Sequence, residues 1–134
     1  VTKEMRVPAA EIGERARAFV QVPTGEQLQV KIVNTPFEMM RGMIGRESFD
    51  PFDGMLFMHQ VSGYYVYHTR GVLIPLDIVW IDSSGQVVEV AEYVAPGTDN
   101  LGGHERSDCA LEVPAGSARK YGLMRGSEVL IRCV

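Results

Sequence analysis

Residues 76–81, LDIVWI, are apolar at every position but one. A run this short, rich in β-branched and aromatic side chains, is too brief for a buried helix and reads as a strand covered on both faces. Pro75 precedes it. Proline cannot donate to a sheet ladder, so it marks the strand's start or an edge. The SSG that follows Asp82 makes a hairpin connection, and QVVEVAEYV is the returning strand. On strand spacing Leu76, Ile78 and Trp80 share one face, while Asp77, Val79 and Ile81 share the other. Asp77 is thus a carboxylate in a segment that should lose its water. It must be protonated, accept several backbone N–H bonds, or meet a cation. Arg41, Arg46 and Arg70 are the candidate cations. Two roles stand: tying down the Gly71–Pro75 turn through backbone hydrogen bonds, or facing a ligand at a loop end.

The remaining segments repeat the short-strand theme. EQLQVKIVN alternates, with Leu28, Val30 and Ile32 on one side of a half-buried strand. In NTPFEMMRGMIGR, Thr35 is an N-cap, Pro36 the first helical residue and Glu38 the partner in a capping box. Phe37, Met40 and Ile44 follow helical spacing, which predicts an inward face on a helix of roughly three turns ended by Gly42 or Gly45. Arg41 and Arg46 sit at its end, where positive charge suits the helix dipole. GMLFMH and CALEV are short strands, YYVYHTR is rich in strand formers, PAGSARKYG is a short helix and SEVLIRCV a terminal strand. APGTDNLGGHERSD is a long loop, uncommon unless it covers something. Residues 1–26 read as an N-terminal arm, in which AAEIGERARAF makes at most a short helix weakened by Gly13. Residues 27–134 form a single domain. The expectation is a mainly β fold, a β-sandwich or partly closed barrel of about six to eight short strands with two short helices. Parallel α/β is disfavoured because the helices are too few for the crossovers.

Bulk chemistry removes several classes of function. With 134 residues, 46% of them hydrophobic and 22% charged, the chain can bury a core and is neither disordered nor lipid-bound in character. The net charge of −4 gives no basic stripe, so nucleic acid is not an expected partner. No run approaches the roughly 18 apolar residues of a transmembrane helix. No basic start followed by an apolar stretch opens the chain, so no signal peptide is read in it. Val1 fits either an expression boundary or a removed leader. Cys109 and Cys133 are too far apart for a CxxC motif, and two buried thiols are expected rather than a disulfide. Nothing fixes an oligomeric state.

The candidate polar residues are few. His68 and Arg70 lie two apart in an extended segment and share a face, so with Asp77 they line a pocket, or His68 packs across strands. Glu112 shares a side with Ala110, opposite Leu111 and Val113, and solvent exposure is its default. Met55, Met58 and His59 resemble soft copper ligands, but strand spacing puts the two methionines on opposite faces. The three histidines show no ligand spacing, and no metal or cofactor is expected. No GxSxG nucleophile elbow, phosphate loop or dinucleotide fingerprint is present.

The ordered set TPFEMMRGMIGR, DGMLFMH, LIPLDIVWIDSSGQVVEV, LEVPAGSARKYGL and GSEV resembles the DUF192 family, also called UPF0127, from about Val30 to Val129. The family's Arg-Gly-Leu-Met-x-Arg pattern matches Arg41, Gly42, Met43, Ile44 and Arg46. Its Gly-Met-Leu-Phe matches Gly54 to Phe57, its Pro-Leu-Asp matches Pro75 to Asp77, and its Leu-Glu-x-x-x-Gly matches Leu111, Glu112 and Gly116. One segment departs: where the family has Trp-Met-Lys-Asn-Thr, this chain has His68, Thr69, Arg70, Gly71 and Val72. The resemblance implies a β-rich sandwich or barrel with short helices. It also implies a periplasmic or otherwise exported protein, with a cytoplasmic location left open. The leading expectation is an uncharacterised, envelope-associated, non-catalytic binding or accessory module for a small polar or anionic ligand. Its ligand-binding residues would be Arg41, Arg46, His68, Arg70, Asp77 and Glu112. Two alternatives are a hydrolase-type enzyme using Asp77 or Glu112 with an arginine, and a protein-interaction module using a sheet edge.

Overall fold

The computed structural model describes residues 17–134. Its elements run β1 (Arg17–Gln21), β2 (Gln27–Val33), α1 (Pro36–Arg41), β3 (Gly54–Gly63), β4 (Val66–Tyr67), β5 (Leu76–Ile81), β6 (Val87–Val94), β7 (Leu101–Gly102), β8 (Ser107–Pro114), α2 (Ser117–Lys120) and β9 (Leu130–Cys133). Seven strands form one sheet in the order β6-β5-β8-β3-β2-β1-β9, and β4 pairs with β7 in a two-stranded ribbon. Every pairing is antiparallel except β2 with β3, which are joined by a crossover containing α1. The fold is mainly β, with a sandwich-like architecture, as the strand spacing implies.

The sheet curls until its edges approach each other. Gln86 and Glu128 form a single antiparallel bridge. Val87 N–H donates to Ser127 O at 2.8 Å, and Gly126 N–H donates to Val87 O at 2.8 Å. No ladder joins β6 to β9, so the sheet is not closed into a barrel.

Period-two alternation divides the core between the sheet's two faces. Inside the curl lie Val20, Val30, Ile32, Leu56, Val79, Ile81, Leu111 and Ile131 with their neighbours. On the outer face Met55, Phe57, Leu76, Ile78, Trp80 and Ala110 pack under Met43, Phe49 and Val72 from the connecting segments. β5 is buried at all six positions, as a strand covered on both sides must be. Each fully buried large apolar side chain contributes about 1.5–3 kcal/mol relative to an exposed one. Trp80 is fully buried and donates its Nε1–H to Tyr65 O at 3.0 Å. Gly102, with φ +71°, lets the β4–β7 ribbon close over that indole: a Cβ there would lie 2.1 Å from Trp80 Cζ2.

Three expectations change on contact with the structure. Part of the segment read as an arm is β1, which pairs with both β2 and β9; residues 1–16, including most of the short helix read at 9–19, lie outside the described residues. The helix read at Thr35 is present and capped, with Thr35 Oγ1 accepting from Glu38 N at 3.2 Å. However, α1 spans six residues rather than three turns, because Gly42 at φ +43° ends it. Its supposed inward face points outward: Phe37 is 71% and Met40 75% exposed. Met39 and Met43 pack against the sheet instead. Lastly, the 95–108 loop is shorter than expected, since β7 and the start of β8 fall inside it.

Candidate functional site

Asp77 is fully buried, and its carboxylate binds the chain to itself. Oδ1 accepts from Tyr93 N at 2.8 Å, and Oδ2 accepts from Gly116 N at 3.0 Å and Ala118 N at 2.8 Å. Gly116 is the N-cap of α2 and has no side chain with which to cap it. Asp77 caps that helix from β5, filling the role a local Asp or Ser would take. Of the three fates open to a buried carboxylate, backbone solvation is the one realised. The tie runs to the β6 end and to α2, not to the Gly71–Pro75 turn, and no arginine pairs with Asp77 among the described residues.

Glu112 presents the opposite case. It lies on β8 near the middle of the sheet, and its register partners are Met55 on β3 and Ile78 on β5, both apolar. The residue is only 4% exposed, so it is not the solvent-facing glutamate that strand spacing alone suggests. No protein group hydrogen-bonds or ion-pairs with its carboxyl among the described residues. It lines a cavity of about 210 Å³, bounded by Met39, Met43, Phe57 and Val72 and opening past Arg41 and His68. Burial pushes its pKa up from 4.5 to about 8, so near neutral pH Glu112 is a protonated acid.

Two further groups on the cavity wall are held neutral. His59, in the middle of β3, has its pKa lowered to about 4 by burial. Its Nε2 shares a 2.9 Å hydrogen bond with the Tyr67 hydroxyl, and the Tyr65 ring stacks on its imidazole at 3.4 Å. Burial first, then the Glu112 carboxyl, holds the Tyr67 phenol well above its ordinary pKa. Tyr67 also meets Phe57 and Trp80 edge-on, which fixes its ring. The wall is therefore apolar and aromatic, with neutral hydrogen-bonding groups set into it.

Of the six sequence-derived candidates, three meet at this cavity: Arg41, His68 and Glu112. Arg41 is exposed and makes no ion pair among the described residues. His68 Nδ1 accepts from Arg70 N at 3.1 Å. Arg70 itself turns to Asp99 at 2.9 Å on the exposed surface. Arg46 donates to Gly42 O at 3.3 Å, closing the end of α1, and borders a separate hollow beside Phe49 and Met55. Asp77 stands apart, with both oxygens engaged. Sequence reasoning missed His59, Tyr67, Met39 and Met43. The alternation of His59 with Phe57 and Met55 along one strand was the available signal for the first.

No group of three or more His, Cys, Asp or Glu side chains suited to a metal ion occurs among the described residues. No described helix is long and apolar enough to cross a membrane. Cys109 is buried on β8 and Cys133 half-buried on β9.

A family model named DUF192, described as an uncharacterized ACR, matches residues 19–131. Two solved structures share the fold. One is a Sinorhizobium meliloti 1021 protein provisionally called a transcription regulator, 23% identical, with a TM-score of 0.76 over 85% of this chain and 91% of that one. The other is a protein of unknown function from Novosphingobium aromaticivorans DSM 12444, 23% identical, with a TM-score of 0.75 over 84% of this chain and 82% of that one. No curated protein matches the chain.

Proposed function

This chain belongs to the DUF192 family, and from that premise we propose that it is a non-catalytic binding module whose Glu112 cavity takes a small polar or anionic ligand. The observation that carries the reading is the Glu112 carboxyl, set between apolar strand neighbours and facing the cavity without a partner among the described residues. The carboxyl is reached from the cavity, so whatever fills that space supplies its hydrogen bonds, and a ligand group can take the place of water there. Apolar walls with a few convergent polar groups are the usual make-up of a ligand site. Arg41 at the mouth offers a planar donor fork to a carboxylate, phosphate or sugar hydroxyl. At about 210 Å³ the cavity lies below the usual size of a drug-sized site, so it fits a small head group.

Chemical-shift mapping of amide resonances during titration with sugars, organic acids and amines tests the reading. Shifts should gather at Arg41–Ile44, His59, Tyr67–His68 and Glu112. Shifts confined to other surfaces, or none at all, would overturn it. An envelope setting belongs to the same proposal; it is supported by the family resemblance and tested by fractionating cells that express the full-length gene product.

A second reading has one observation in its favour: a protonated acid, Glu112, facing a cavity beside Arg41, which has no ion pair among the described residues. A hydrolase could use Glu112 as general acid and Arg41 for developing negative charge. Its rate would then decline as pH rises through about 8, and Glu112→Gln would abolish it.

A further inference from the structure

The two buried carboxyl groups of the sheet are treated differently by the fold. Asp77 receives three backbone N–H bonds. Glu112, on the adjacent strand, receives none from the described residues. We propose that the partner of Glu112 is the cationic nitrogen of the ligand, a primary amine or similar organic cation seated against Phe57 and Tyr67. This rests on the reading of the cavity as a ligand site and specifies the ligand's buried end.

Three features of the cavity favour a cation over other occupants. The carboxyl is the one acidic group on the wall among the described residues, and its strand neighbours Met55 and Ile78 offer no competing charge. Aromatic rings border the same space, and ring faces attract ammonium groups, by about 2 kcal/mol when the site is dry. His59 is the base set into the inner wall, and burial lowers its pKa, so it adds no repelling charge near Glu112. The titratable and charged groups round Glu112 are thus Arg41 from the end of α1, His59 from β3, Tyr67 from β4 and His68 just after it. Arg41 is exposed at the mouth, where it meets the polar or anionic end of the same molecule. A short chain with an amine at one end and a carboxylate at the other satisfies both.

Binding then moves a proton. Near pH 7 the free cavity holds Glu112 mostly protonated, because its pKa is about 8. An ammonium ion entering the site pairs with the carboxylate, so the Glu112 proton leaves to solvent and the ligand keeps its own. Close to one proton is released for each ligand bound at pH 7, and affinity rises about tenfold per pH unit until it levels off above pH 8.

The test compares three probes of similar length: n-pentylamine, pentanoate and 5-aminopentanoate. Calorimetric titration in phosphate and in Tris buffer reads affinity and proton release together. The proposal expects both amines to bind with proton release, 5-aminopentanoate the more tightly, and Arg41→Ala to weaken only that compound. Glu112→Gln, which keeps the shape of the protonated acid, should lose at least tenfold in amine affinity and all proton release. Should Glu112→Gln fold poorly, the pH dependence of amine affinity in the wild-type protein decides the same point: a tenfold rise per unit below pH 8 supports the pairing, and a flat profile overturns it. Pentanoate binding in the cavity while the amines do not would overturn the cation and leave the ligand site standing. Amine binding without proton release, indifferent to Glu112→Gln, would overturn the cation as well. Failure of all three at millimolar concentration would overturn the cation, and only failure of the sugars and organic acids as well, with no shift at the cavity amides, would overturn the ligand site too.

Discussion

Replacing Asp77 by Asn isolates what its charge does. The asparagine carbonyl can keep the two donors now on Oδ2, Gly116 N–H and Ala118 N–H. Its amide NH₂ then faces Tyr93 N–H, donor against donor, where Oδ1 had accepted at 2.8 Å. An orphaned buried N–H costs about 1–3 kcal/mol, and the two retained bonds weaken because their acceptor is no longer charged. The sum is about 3 kcal/mol. For a domain of this length about 3–5 °C of melting temperature is lost per kcal/mol, so Asp77→Asn should melt roughly 10 °C lower. Asp77→Ala, which strands all three donors, should cost more. Calorimetry gives the shift, and amide hydrogen exchange localises it, with protection falling at Tyr93, Gly116 and Ala118. A variant melting within 1 °C of wild type, with those amides still protected, would refute the claim that the carboxylate holds β6 and α2 to β5.

Glu112 titrates at about 8 when folded against 4.5 unfolded, so the native state binds the extra proton between those values. Stability should therefore fall as pH rises through that window and level off above it, by about 5 kcal/mol in all; Glu112→Gln should remove most of the decline in urea-melt midpoints measured from pH 5 to 9. His59 shifts the other way, from 6.5 down to about 4, so its contribution to stability weakens as pH drops from 6.5 toward 4. The imidazole resonances of His59 should titrate near 4, and a midpoint above 6 would mean that the ring is not shielded. Gly102→Ala drives a methyl into the Trp80 ring at a positive φ, so it should destabilise by about 2–4 kcal/mol and shift the fluorescence of the single tryptophan to the red; unchanged emission and stability would count against the contact.

The parts of the fold carried by local chemistry were legible in the sequence. Leu76–Ile81 is a strand because six consecutive, mostly β-branched or aromatic residues leave no polar face for a helix. The capping box at Thr35 and the Asp82–Gln86 connection are likewise local, fixed by side chains within a few residues of the backbone they bond. Long-range choices were not legible. Periodicity put Phe37 and Met40 on an apolar face but could not show that the six-residue α1 turns Met39 to the sheet and leaves that face outside. Strand parity paired Glu112 with Ala110 correctly. What it could not show was that segments 39–44 and 66–72 roof that face and convert an exposed position into a cavity floor. Asp77 was marked as anomalous by its apolar surroundings. Its partners are backbone N–H groups 16 to 41 residues away, and backbone donors leave no signature in a sequence.

The state of Glu112 bears most directly on the proposed site, and a ¹³C-detected titration of its side-chain carboxyl between pH 4 and 10 measures it. A midpoint near 8 in the ligand-free protein, moving down when n-pentylamine is added, is the predicted result. A midpoint near 4.5 that no amine moves would mean that the carboxyl is already solvated or paired, and the cavity would lose its claim to be a binding site.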